Sequence, residues 1–119
     1  MKRTLAILNA LANETRLHIL LTLLQEDLCV CELQEILGVK QSHLSHQLRI
    51  LRYLGLVEPK QEGRWVVYSV REEIRKNRII QSIKESVKLS PGEKEKIFGI
   101  KMSSLRPAKE SKISHGDMK

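Results

Sequence analysis

Residues 33–70 read LQEILGVKQSHLSHQLRILRYLGLVEPKQEGRWVVYSV, and the spacing of their apolar positions decides the fold. Leu33, Ile36 and Leu37 share one short helical face that stops at Gly38, a residue suited to the left-handed turn that ends a helix. A second helix starts within three residues. Its stripe is Leu44, Leu48 and Leu51, and at 100° per residue Ser42, His46, Arg49 and Tyr53 fall on the opposite side. A helix, a tight Gly-containing turn and a helix with a polar outer face describe a helix-turn-helix. Two β-rich runs follow, 56-LVEPKQ-61 and 64-RWVVYSV-70, about a Glu62-Gly63 turn whose glycine permits positive φ. A helix-turn-helix followed by a hairpin is a winged helix.

Upstream, Leu5, Leu8, Leu11 and Ala12 recur at helical spacing. After Asn13, a candidate N-cap, Leu17, Leu20, Leu21 and Leu24 do the same. Downstream, Glu72 to Leu89 returns to a helical period with Ile79, Ile80, Ile83 and Val87 on one face. The expected fold is therefore mainly α with a small β-hairpin, in the order α-α-α-α-β-β-α. Residues 1–90 form one DNA-binding and dimerisation domain, and 91–119, rich in Ser and Lys with only isolated Ile97, Phe98 and Ile100, form a flexible basic tail. Nothing inside so small a domain obviously covers the stripe of Ile79, Ile80, Ile83 and Val87. With Leu5 and Leu8 of the first helix it predicts a homodimer interface.

Composition narrows the partner. Lys and Arg outnumber Asp and Glu 21 to 14 for a net charge of +7, which favours a polyanion. Aromatics are 3% of the 119 residues, too few for the stacking platforms of single-strand binders, so duplex DNA fits better. The opening MKRTLAILNALA mimics a signal peptide, but Asn9 interrupts its apolar run and the helical pattern continues past Ala12. No stretch approaches the ~18 apolar residues of a membrane span. No Ser/His/Asp or paired-carboxylate arrangement points to an enzyme, and no organic cofactor is implied.

On the second helix of the helix-turn-helix, Gln41, Ser42, His43, Ser45, His46 and Arg49 combine adaptable hydrogen-bonders with a cation and include no acid. That suits a recognition helix entering the major groove. In the hairpin, Lys60 and Arg64 are placed to reach backbone phosphates, although Glu62 at the tip also fits an ordinary surface turn. His43 and His46, at i and i+3, supply only two nitrogens to a metal, and a groove-facing helix explains both. His115 and Asp117 lie in the tail.

Both cysteines sit in 27-DLCVCEL-33. A disulfide between i and i+2 closes a strained ring, so two reduced thiols, and a cytoplasmic protein, are expected. Either they are small buried hydrophobes or they share a soft ion. In an extended segment Cys29 and Cys31 point to the same side, whereas inside a helix they diverge by about 200°. An ion site and a helix start therefore compete for the same residues.

With 11-LANETRLHIL-20, 28-LCVCEL-33, 42-SHLSHQLRILRYLGLVE-58 and 62-EGRWVVYSV-70, the chain resembles the ArsR/SmtB transcriptional repressors over roughly residues 5 to 70, and within them the arsenic-sensing type. The resemblance implies a dimeric winged-helix repressor that leaves its double-stranded operator when thiolates, here Cys29 and Cys31, capture an inducer. Several departures bear on which inducer. Gln34 stands where arsenic sensors commonly add a third cysteine, and Gln47 where His is frequent. The N-terminal arm lacks the cysteines of cadmium and lead sensors. Residues 72-EEIRKNRIIQSIKESVK-88 lack the Asp and His of zinc and nickel sensors. What remains is arsenite or antimonite, ahead of another soft metal ion. Two other functions stay open: a thiol redox or sulfide-responsive repressor, and a non-specific architectural DNA-binding protein.

Overall fold

The computed structural model describes residues 1–87 and 91–103. Two helices lead, α1 (Lys2–Leu11) and α2 (Glu14–Gln25), followed by a short strand β1 (Leu28–Cys29). Then come α3 (Val30–Leu37), α4 (Gln41–Tyr53) and the hairpin β2 (Val57–Glu62) and β3 (Trp65–Val70). The remaining helices are α5 (Glu72–Arg75), α6 (Arg78–Ser86) and α7 (Pro91–Ser103). Sequence punctuation sets the boundaries. The Asn13 side chain accepts the Arg16 backbone N–H at 3.0 Å and starts α2. Gly38, at φ 66°, ends α3 in the left-handed region that costs L-residues a steric clash. Gly63, at φ 64°, turns the hairpin so that Glu62 pairs with Trp65.

The core lies between α2, α3 and α4. Ile19, Leu20 and Leu23 of α2 meet Leu33 and Ile36 of α3 and the Leu44, Leu48 and Leu51 stripe of α4, all essentially dry. Each such side chain contributes about 1.5–3 kcal/mol by leaving water, which is why the periodicity is a dependable guide here. Thr22, buried among them, satisfies its hydroxyl by donating to the His18 carbonyl at 2.8 Å.

The expected winged helix is present, with three additions. First, β1 pairs antiparallel with β3, Leu28 opposite Tyr68 and Cys29 opposite Val67, giving a three-stranded sheet in the order β1-β3-β2. Pro59 therefore sits on an edge strand, where its missing N–H is tolerated. Second, the expected single helix from 72 breaks, because the Asn77 side chain accepts from the N–H groups of Ile79 and Ile80 and caps a new helix, α6. Arg75, at the end of α5, reaches back to the carbonyls of Leu23 and Leu24 and to Asp27, tying α5 to the C-terminus of α2. Third, where a tail was expected from residue 91, Pro91–Ser103 is helical and packs against α3 with Ile97 buried. Pro91 occupies the first helical position, where a missing N–H costs nothing. The rest of the expected tail, residues 104–119 with His115 and Asp117, lies outside the described residues.

Candidate thiol site and nucleic-acid interface

Cys29 closes β1 in extended conformation (φ −87°, ψ 173°) and is the N-cap of α3, while Cys31 lies in the first turn of that helix. Their sulfurs are 3.3 Å apart. This corrects the expected competition between ion site and helix start. One cysteine is extended and the other helical, so the pair converges with the helix already formed. Glu32 sets the junction: it is fully buried, and its carboxylate accepts the Cys29 N–H at 3.0 Å. The thiols are free, Cys29 buried and Cys31 exposed. Burial, reinforced by the neighbouring thiol and the Glu32 charge, pushes the Cys29 thiol up to about 12, against the relief of a backbone hydrogen bond. It is protonated at neutral pH.

The donor set fits one soft ion reached from solvent on the Cys31 side. Cys29 and Cys31 would hold such an ion between them, and their sulfurs would supply the soft donors that thiophilic ions prefer. Among the described residues no group of three or more His, Cys, Asp or Glu is arranged for a metal. His43 and His46 have no third partner of that kind among the described residues. Instead, the Nε2 of His43 lies 3.2 Å from the Thr15 hydroxyl of α2.

Gln41, Ser42, His43, His46 and Arg49 are all exposed along α4, and Ser45 is half-buried between them. Lys60 and Arg64 are exposed on the hairpin. The thiol site touches both of these elements, since β1 is hydrogen-bonded to β3 and α3 packs on α4.

Arg16 is the functional candidate that pattern reading misses. Its guanidinium donates to the Gln47 side-chain oxygen at 3.0 Å and to the Asn9 carbonyl at 3.1 Å. The clue was Gln47, a polar residue on the Leu44–Leu48 side of α4, where a partner had to be waiting.

The expected dimer stripe divides. Leu5 (56% exposed), Leu8 (50%) and Val87 (40%) are open, and Ile79 and Ile83 are half-covered. Ile80, at 2%, belongs to the chain's own core and is removed from the interface set. On α6 it is Ile80 that turns into the domain, while Ile79 and Ile83 lie at the edge of the stripe and stay half-covered. Among the described residues no helix is long and apolar enough to cross a membrane.

A family model described as "Bacterial regulatory protein, arsR family" matches residues 13–59. The HTH-type transcriptional regulator NmtR of Mycobacterium tuberculosis is 51% identical over 63 residues, 53% of this chain and 52% of that protein. The putative arsenical resistance operon repressor ArsR of Halobacterium salinarum is 45% identical over 64 residues, 52% of this chain and 50% of that one. The chain thus spans about half the length of these curated relatives. Among solved structures, HlyU from Vibrio cholerae superposes with TM-score 0.63 at 36% identity, covering 71% of this chain and 90% of that one.

Proposed function

This chain belongs to the arsR family of bacterial regulatory proteins, and from that premise we propose that it is a homodimeric cytoplasmic repressor, released from double-stranded operator DNA when Cys29 and Cys31 capture arsenite or antimonite. One observation carries the reading: two free thiols 3.3 Å apart stand at the junction of β1 and α3. From there one strand leads to the hairpin and one helix to the recognition helix. Capture ties Cys29 and Cys31 to a single centre beside the Cys29–Glu32 cap that fixes the start of α3. Any shift in α3 or β1 then reaches both DNA-facing elements. By linkage, inducer and operator oppose each other by one coupling free energy, about 1–3 kcal/mol.

Two thiols with no third His, Cys, Asp or Glu arranged beside them among the described residues suit a thiophilic metalloid better than a cation that takes four protein ligands. The similarity to the putative arsenical resistance operon repressor of Halobacterium salinarum points the same way. The third position about the centre is left to water-derived hydroxide or a small external thiol, since Gln34, on the next turn of α3, offers no thiol.

The sulfur separation also suits thiol oxidation, but an i, i+2 disulfide closes a strained ring, so metalloid capture is the better account. The test is a gel shift on the DNA upstream of this chain's own gene. The account expects retardation that 100-fold excess random competitor does not abolish and that arsenite reverses. Retardation insensitive to arsenite but reversed by peroxide would favour the redox reading. Loss to random competitor would favour an architectural protein.

A further inference from the structure

We propose that Arg16 is a positioning residue for operator recognition: one guanidinium fixes the angle between α1 and α4 and thereby the half-site spacing that a dimer accepts. The inference rests on the dimeric-repressor reading above. Arg16 is the third residue of α2, held there by its backbone N–H on Asn13. Its side chain turns back and spans two other helices. One terminal nitrogen donates to Gln47 Oε1 of α4 at 3.0 Å, and the other donates to the Asn9 carbonyl at 3.1 Å and the Asn9 Oδ1 at 3.4 Å. The Asn9 carbonyl also accepts from Ala12 at the C-terminal end of α1, where a cation is favoured by the helix dipole.

Three features argue that the link orients the helices as well as packing them. Gln47 is only 6% exposed on the leucine side of α4, a place where another leucine would bury more apolar surface. Buried polar pairs add little net stability, and their best-attested use is to fix register. Arg16 Nε is itself buried with no hydrogen-bond partner among the described residues, so the group stays despite a desolvation cost. The guanidinium is planar with its donors in a fixed fork, so the directions to Asn9 and Gln47 cannot vary independently. A second tie lies next to it, since Thr15 meets His43 at 3.2 Å. The start of α2 thus holds the recognition helix at two points. Because α1 carries the exposed Leu5 and Leu8 expected at the dimer face, a rotation of α4 against α1 changes how far apart two recognition helices stand. On DNA, each base pair of spacing amounts to ~3.4 Å and ~34°.

The test measures binding of the intact protein to the upstream duplex and to versions with its half-sites moved by −1, +1 and +2 base pairs. Wild type should prefer the native spacing about tenfold or more. Gln47→Met keeps the volume of the side chain and removes only the acceptor, and Arg16→Lys keeps the charge and removes the fork. Both should flatten the preference to about threefold or less while leaving the salt slope unchanged. Gln47→Glu, which keeps an acceptor, should retain the wild-type profile. Equal loss at every spacing from Gln47→Met, with the preference intact, would overturn the proposal and leave the repressor reading standing. A wild type with no spacing preference would overturn both. Should Arg16→Lys not fold, Gln47→Met alone decides.

Discussion

The protonation of Cys29 separates a metalloid inducer from a metal cation. With its thiol pushed up to about 12 by burial, Cys29 holds its proton throughout pH 6–8. A divalent cation must displace that proton to solvent, so its affinity should rise ~10-fold per pH unit, worth 1.36 kcal/mol each, from Cys29 alone. Between pH 6 and 8 that amounts to about 100-fold. Arsenous acid is neutral and brings its own base. Each As–S bond that forms replaces an As–O bond, and the departing hydroxide takes the thiol proton as water, with no net release. Its affinity should therefore be nearly flat over the same range. Fluorescence anisotropy of labelled operator, titrated with arsenite and separately with cadmium at pH 6, 7 and 8, reads both slopes. A cadmium affinity that does not move with pH would show Cys29 already ionised and refute the burial argument. An arsenite affinity climbing 100-fold would refute capture of the neutral acid.

Ile83→Glu places a charge in the half-covered stripe shared with Ile79 and should give monomers by sedimentation at micromolar concentration; a variant that still dimerises would move the interface elsewhere. Arg64→Ala should weaken binding to all duplexes alike and lower the salt slope by about 1, whereas His43→Ala or Ser45→Ala should shift preference among sequences. Equal losses on specific and random DNA from the α4 variants would remove that helix from readout. Gln34→Cys supplies a thiol one turn beyond Cys31 and should tighten arsenite binding ~10-fold or more, with operator affinity in its absence unchanged. Calorimetry of arsenite binding checks the first half of that expectation and the gel shift the second.

The helix-turn-helix and hairpin were legible because their apolar positions obey a period, and Leu44, Leu48 and Leu51 are as buried as that period requires. What escaped lacks a period. β1 is two residues long, and its pairing with Tyr68 and Val67 is a contact across some forty residues that no local pattern records. The break before α6 depends on one asparagine capping a helix inside a charged run. At the thiol site the residues were legible from spacing, but not their convergence. Treating the segment as wholly extended or wholly helical missed that Cys29 adopts the first conformation and Cys31 the second. Ile80 was placed at the interface because a wide apolar stripe does not reveal which edge the chain itself covers. Arg16 was invisible as a charged residue among many, and only its buried partner Gln47 betrays it.

The central claim, that Cys29 and Cys31 together are the inducer switch, is tested most directly by an arsenite titration of operator release for wild type, Cys29→Ser and Cys31→Ser at one pH. Each serine removes one of two sulfurs that a single centre must share. The account predicts that wild type is released while both variants bind operator with wild-type affinity and stay bound at arsenite concentrations 100-fold above the wild-type midpoint. Release of both variants at the wild-type midpoint would contradict it and leave the two cysteines as packing residues at the start of α3.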